Sequence, residues 1–137
     1  MKKVLFLFVT LLMISCSSDD DSQTTNSFIN PPDWIIGTWL DESEPAFSQI
    51  GGFQFTHDNL IDLDANGDVF LNLKEGLQES VDAGAITTNE IITNTVYELK
   101  IISNGVETNQ YRFTRGTDNT TIVYNMSETY DVVLTKQ

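Results

Sequence analysis

The stretch Asp62-Leu63-Asp64-Ala65-Asn66-Gly67-Asp68, DLDANGD, has the oxygen spacing of half a calcium-binding EF-hand loop and also the composition of a tight hairpin turn. Counted as an EF-hand loop, it places Leu73 at the twelfth position, where a bidentate glutamate is required. The flanking residues alternate between apolar and polar as strands do, whereas an EF-hand has helices there. The stretch therefore predicts a β-hairpin and no dedicated metal site. A weak surface calcium site at Asp62, Asp64 and Asp68 remains the alternative.

The hairpin is predicted to close through a three-residue loop, Ala65-Asn66-Gly67, with its glycine in the left-handed region. This loop length pairs Leu63 with Val69 and Ile61 with Leu71. The four apolar side chains then share one face of the sheet, and most polar side chains lie on the other. A buried face specifies the register of a strand strongly, which favours this loop over a two-residue one.

Short strands with turn residues between them follow one another from residue 34 to the end of the chain. A second three-residue loop, Ser103-Asn104-Gly105, is predicted to pair Tyr97 with Tyr111. The predicted strands are Trp34–Leu40, Gly52–Thr56, Leu60–Leu63, Asp68–Leu73, Ile91–Ile102 in one or two pieces, Glu107–Thr114, Thr121–Met126 and Thr129–Thr135. The only segment predicted to form a helix is a short one, Glu75–Gly84. About eight short strands indicate an all-β domain, either a small antiparallel barrel or a sandwich.

The N-terminus has the features of a secretory signal peptide over residues 1–15. Lys2 and Lys3 precede the largely apolar run Val4–Ile14, which is too short to span a bilayer as a helix. Cys16 follows directly, and as the only cysteine of the chain it has no disulfide partner. The segment LMISC, which ends at Cys16, resembles the lipobox of bacterial lipoproteins. That resemblance implies that Cys16 carries a lipid anchor.

Residues 16–32 are predicted to form a flexible polar tether that ends at two prolines, with the domain occupying residues 33–137. Just after the cysteine, Ser18, Asp19, Asp20 and Asp21 resemble the export signal of surface lipoproteins of the Bacteroidetes. A solvated acidic linker is the alternative interpretation. The resemblance implies a protein anchored by lipid in the outer membrane and facing the cell exterior.

The chain is strongly acidic, with a net charge of −13 that becomes −15 once Lys2 and Lys3 are removed with the signal peptide. Phosphate contacts need Lys and Arg, so nucleic acid is excluded as a partner. Anionic membrane surfaces repel such a domain as well, so the predicted membrane contact is the lipid on Cys16. The sequence leaves the oligomeric state open.

The segment DWIIGTWL, Asp33–Leu40, contains Gly37-Thr38-Trp39, which resembles the Gly-x-Trp signature on the first strand of lipocalins. The context, from lipid tether to a last strand like YDVVLTKQ, resembles the lipocalin-like domains of Bacteroidetes lipoproteins. The resemblance implies a small eight-stranded antiparallel up-and-down barrel. It also implies that Trp39 packs across one end against an arginine of a late strand, Arg112 or Arg115.

A barrel of this kind predicts a set of inward-facing side chains. The possible interior contacts are Phe53, Phe55, Tyr97, Tyr111, Phe113, Tyr124 and Tyr130, together with Trp39, Ile61, Leu63, Val69, Leu71, Leu99, Val132 and Leu134. An eight-stranded barrel either fills its interior with such side chains or holds one small ligand.

The sequence offers little catalytic chemistry. His57 is the only histidine and the domain has no cysteine, so neither a nucleophile pair nor a transition-metal site can be assembled from these residues. No phosphate-binding glycine loop or nucleophile elbow is present. We therefore expect a non-catalytic protein without a cofactor. Such a protein would bind a small apolar ligand or serve an accessory role at the outer membrane. The alternative is an acidic interaction or inhibitor module for a cationic protein partner.

Overall fold

A single antiparallel sheet of nine strands dominates the part of the chain that this computed structural model describes, residues 27–43 and 50–137. The strands are β1 (Gly37–Leu40), β2 (Gly52–Thr56), β3 (Asn59–Leu63), β4 (Val69–Asn72), β5 (Ile86–Ile92), β6 (Val96–Ser103), β7 (Val106–Arg115), β8 (Thr121–Ser127) and β9 (Tyr130–Lys136). One α-helix, α1 (Leu73–Asp82), lies between β4 and β5, and a 3-10 turn at Asp33–Ile35 precedes β1. The predicted all-β class is confirmed.

The sheet is curled into a half-barrel, with the strand order β4-β3-β2-β1-β9-β8-β7-β6-β5. Consecutive strands pair except for β4 and β5, and β1 also pairs with β9, as in an up-and-down order. The sheet ends at β4 and β5, and within the described residues no ladder joins these two strands. The predicted eight-stranded closed barrel is therefore wrong in its strand count and in its closure. The region predicted as Ile91–Ile102 contains the end of β5 and most of β6, separated by a turn in which the N–H of Val96 donates to the Thr93 hydroxyl (2.8 Å). The first five residues of β5 were not predicted as a strand.

Helix α1 covers part of the opening between the two edge strands, since it contacts β3, β4 and β5. It begins where the Asn72 side chain accepts a hydrogen bond from the N–H of Glu75 (3.2 Å), which caps its first turn. The side chain of Asn59 on β3 accepts from the N–H of Lys74 (3.0 Å). Leu73, the first residue of the helix, is buried in the core. The helix that separates β4 from β5 in sequence thus also lies between them in space.

Residues 27–32 cross the opening at another point and belong to the packed domain. Ile29 is completely buried in the core. The Ser27 hydroxyl donates to the carbonyl of Asp58 in the β2–β3 turn (3.2 Å), and the N–H of Asn30 donates to Glu90 on β5 (2.7 Å). The predicted boundary at residue 33 is therefore too late, and the predicted tether includes residues that pack. The burial of Ile29 supplies the reason, since removing an aliphatic side chain from water stabilises the folded state by about 1.5–3 kcal/mol.

The hairpin at Asp62–Asp68 confirms the predicted turn but only part of the predicted register. Its glycine has a φ of +83°, in the left-handed region, and Leu63 pairs with Val69 as predicted. The next pair is shifted by one residue, because Phe70 is an extra residue in β4, a β-bulge, so that Asp62 rather than Ile61 lies opposite Leu71. On its other side Asp62 pairs with Phe53 of β2, which is completely buried. Asp62 therefore faces the interior together with Phe53.

The second hairpin closes through two residues, Asn104-Gly105, and the predicted three-residue loop is wrong. Both residues have positive φ, 51° and 80°, which is the conformation of a type I′ turn. A bulge at Thr108 in β7, opposite Ile101 and Ile102, adds a further shift. Tyr97 consequently pairs with Phe113, two residues beyond its predicted partner Tyr111.

Candidate functional site

The interior of the half-barrel is filled with aromatic rings. Six of the predicted interior contacts are buried: Phe53, Phe55, Tyr97, Tyr111, Phe113 and Tyr124. The ring centroid of Phe53 lies 5.0 Å from that of Phe113 and 4.7 Å from that of Tyr124, both in edge-to-face geometry. These rings occupy the space that a ligand would take in a hollow barrel.

Three side chains predicted to face inward are exposed. Tyr130 is 37 % exposed, because it follows the β8–β9 turn and pairs across a register shift at the end of β8. Val69 and Leu71 are 64 % and 40 % exposed, because β4 is an edge strand with a neighbour on one side only among the described residues. Of the remaining predicted inward residues, Trp39, Leu63, Leu99, Val132 and Leu134 are buried and Ile61 is half-buried.

The motif Gly37-Thr38-Trp39 forms most of β1, and its tryptophan lies in the core. Trp39 is buried, and its indole N–H donates to the carbonyl of Ile35 (2.7 Å). The ammonium of Lys136 lies 5.1 Å from the Trp39 ring centroid, within the range of a cation–π contact. Gly37 has a φ of +131°, and a Cβ there would meet the Lys136 side chain at 3.0 Å. Glycine thus lets the lysine approach the motif closely.

The cation over the motif tryptophan is Lys136, and the predicted Arg112 or Arg115 is wrong. Arg112 forms an ion pair with Glu98 on the neighbouring strand β6. Arg115 lies over the ring of Trp34, 5.8 Å from its centroid. The reason is the order of the sheet: β1 pairs with the last strand β9, which places Lys136 directly opposite Trp39, whereas β7 lies two strands beyond β1's neighbour.

Asp62 is an acidic side chain inside the core. It is only 5 % exposed, and it pairs with Phe53 on one side and Leu71 on the other. Its Oδ2 accepts a hydrogen bond from the Tyr111 hydroxyl (3.2 Å), while Oδ1 is buried without a partner among the described residues. Burial raises the pKa of Asp62 from 3.8 to about 6, and the bond from Tyr111 offsets only part of this effect. Burial and the neighbouring Asp62 together raise the pKa of Tyr111.

The three carboxylates of the alternative calcium site do not converge. Asp62 points into the core, whereas Asp64 accepts the N–H groups of Asn66 (2.8 Å) and Asp68 (2.9 Å) inside the turn. These backbone donors, that of Asp68 first, lower the pKa of Asp64. The Asp68 side chain is exposed at the tip. Among the described residues, no group of three His, Cys, Asp or Glu side chains is placed to hold a metal ion.

A small apolar pocket lies between α1 and the strands β6 and β7. Its volume is about 100 Å³, and its lining includes Leu71, Leu77, Ile101 and Tyr111. Pockets for drug-sized ligands have volumes of roughly 300–1,000 Å³. This pocket therefore has room for only a few heavy atoms.

A larger cleft of about 700 Å³ opens between β7 and β8. The two strands pair only from Phe113 to Arg115, although β7 pairs with β6 along nearly its whole length. Beyond that point they separate, and residues of β7, β8 and the β8–β9 turn line the cleft. Its charged and amide side chains are Gln110, Asn109, Arg112, Asn125, Glu128 and Asp131. The sequence did not predict this cleft, because the separation of two strands has no local signal.

The basic side chains of the described residues are all engaged within the molecule. Lys74, Lys100 and Arg112 form ion pairs with neighbouring carboxylates, and Arg115 and Lys136 lie over tryptophan rings. Acidic side chains far outnumber these cations. The surface therefore presents many carboxylates that have no basic partner to neutralise them.

The predicted membrane elements fall outside the described residues: the signal peptide, Cys16, and the export residues Ser18, Asp19, Asp20 and Asp21. In the described ranges, no helix combines the length and apolar character needed to cross a membrane.

Comparison with known proteins found no match. No protein-family model, no curated protein and no solved structure matches the chain.

Proposed function

We propose that this protein is a surface-anchored, non-catalytic lipoprotein whose lipocalin-like domain binds a cationic protein partner. The lipid on Cys16 would hold it in the outer membrane, with the domain facing the cell exterior. Two features support the lipocalin-like assignment. The strands follow an up-and-down order that brings the first strand beside the last, and the motif tryptophan is buried beneath a cation of the last strand.

The proposal of a cationic partner rests on the acidic surface, where most of the described carboxylates have no basic neighbour. With every described cation engaged internally, the excess carboxylates produce a negative field around the domain. Such a field accelerates the encounter with a positively charged protein. An inhibitor of a cationic enzyme is one form of the proposed function.

A carrier of a small apolar ligand is the second candidate, and the filled interior argues against it. The aromatic rings of Phe53 and Phe113 pack at the centre, and the apolar pocket under α1 measures only about 100 Å³. A lipid-sized ligand would have to displace part of this core. Native mass spectrometry of the protein purified from its own host would detect a retained ligand, and a bound lipid of defined mass would favour the carrier.

The test of the proposed function is the salt dependence of association between the mature protein and a cationic protein such as a lysozyme. We expect binding at low salt and release by roughly 0.3 M salt, where the screening length falls to several ångströms. A neutral protein of similar size serves as the control. Binding that is absent at low salt, or equal for the two partners, would refute the electrostatic interaction.

A further inference from the structure

We infer that the cleft between β7 and β8 receives an extended cationic peptide segment, which adds to β7 as a further strand. This inference rests on the proposed function and specifies how a cationic partner is held. It assigns a binding site to a region that neither the sequence motif nor the aromatic core involves.

Within the described structure, the backbone of β7 has one edge that is unpaired over most of its length. Residues 106–112 pair with β6 apart from a bulge at Thr108, but among the described residues no strand forms a ladder with them on the β8 side. In an antiparallel strand, every second residue directs its N–H and C=O groups to one side. About seven residues at roughly 3.3 Å each give a free edge on the order of 20 Å long. An edge of this length accommodates a peptide of five to seven residues by strand addition.

The side chains that line the cleft give it a negative charge. Glu128 and Asp131 line it, and the only basic residue in the lining, Arg112, is held by the buried carboxylate of Glu98. Asp131 is further oriented by a hydrogen bond from the Asn125 amide (2.9 Å). The cleft therefore presents two carboxylates without a free cation. Lysine or arginine side chains of an added strand would complement them.

The other free edges of the sheet are less suited to the same role. Helix α1 contacts both β4 and β5, and residues 27–32 bind to β5 through Asn30 and Glu90. The exposed side chains of β4 are apolar, with Val69 and Phe70 64 % and 74 % exposed. The cleft thus combines a free backbone edge with negative charge.

The probe is the fluorescent peptide acetyl-Lys-Val-Lys-Val-Lys-Val-amide, titrated into the mature protein at low salt. Its glutamate counterpart is the charge control. Two further versions carry backbone N-methyl groups on alternate residues, one set at the lysines and one at the valines. Strand addition uses the N–H groups of one set to bind β7, so we expect methylation of at least one set to weaken binding by about tenfold or more.

Matched protein variants locate the site. The double variant Glu128→Gln and Asp131→Asn removes two charges from the cleft, and Glu75→Gln with Glu79→Gln removes two charges from α1. We expect the cleft variant to bind the lysine peptide about fivefold more weakly or worse, and the α1 variant to change binding less than about twofold. Circular dichroism checks that both variants fold.

The outcomes distinguish strand addition in the cleft from the electrostatic binding of a cationic protein. If the lysine peptide does not bind, if neither methylation pattern matters, or if the two double variants behave alike, strand addition in the cleft is overturned. Salt-dependent binding of a cationic protein would then still support the proposed function. Loss of that protein binding as well would refute both.

Discussion

Replacing Asp62 with asparagine removes a charge from the core while keeping the size of the side chain. The amide oxygen can still accept the hydrogen bond that the Tyr111 hydroxyl donates to Oδ2 (3.2 Å). The amide NH₂ takes the place of Oδ1, which has no partner among the described residues. The unpaired NH₂ costs free energy, but that cost does not depend on pH. The pH dependence of the difference between the two proteins therefore isolates the ionisation of Asp62.

The magnitude follows from the pKa of Asp62, which burial raises from 3.8 to about 6. Because the folded-state pKa lies above the unfolded one, the charge destabilises the folded protein at neutral pH. The destabilisation disappears as the pH falls from above 6 towards 3.8. Its full size is about 3 kcal/mol, since one pKa unit corresponds to about 1.4 kcal/mol. Between pH 7.5 and 5.0, the stability of Asp62→Asn relative to the natural protein should fall by about 1–1.5 kcal/mol.

The assay is urea unfolding of both proteins at pH 7.5 and 5.0, a range above the sequence isoelectric point of about 4.1. Asp64→Asn is the control, because the backbone N–H groups of Asp68 and Asn66 lower the pKa of Asp64. A lowered pKa contributes stability that is lost only as the pH falls below 3.8 and through the folded-state value. The stability difference of Asp64→Asn should therefore stay constant between the two pH values. A constant difference for Asp62→Asn as well would show that Asp62 is not a buried charge.

Three further predictions concern the domain boundary, the β6–β7 turn and the anchor. Ile29→Ala should lower the free energy of unfolding by about 2–5 kcal/mol, because Ile29 is completely buried; Val133→Ala, at a site 58 % exposed, should change it by less than about 0.5 kcal/mol. Equal effects in urea unfolding would remove residues 27–32 from the folded domain. Gly105→Ala should destabilise by about 1–2 kcal/mol through its φ of +80° alone, since a Cβ there meets no atom within 4 Å; an unchanged unfolding midpoint would argue against the type I′ turn. Cys16→Ala should abolish palmitate labelling in the host, and continued labelling would disprove lipidation at this residue.

Local preferences explain which parts of the fold were predictable. The left-handed glycine of the Asp62–Asp68 turn follows from the conformational freedom of glycine. Alternation of apolar and polar residues placed Phe53, Phe55 and Phe113 in the interior, where the structure has them. Both kinds of signal lie within a few residues of chain.

Features that depend on small shifts in pairing were not predictable. A bulge at Phe70 in β4 changes the partner of Asp62, and another at Thr108 in β7 changes the partner of Tyr97. The cation over Trp39 is Lys136, because β1 lies beside β9. No local pattern encodes a bulge or a neighbour that is distant along the chain.

The sequence by itself determined the all-β class, the location of the two Asn-Gly hairpins and the aromatic character of the core, because strand alternation and glycine dihedral angles are properties of short segments. The tertiary structure decided that the sheet stays open between β4 and β5, that a carboxylate lies buried beside Tyr111, and that β7 parts from β8 to leave an acidic cleft. These outcomes depend on the register and curvature of the whole sheet, and these in turn depend on contacts between residues far apart in the chain.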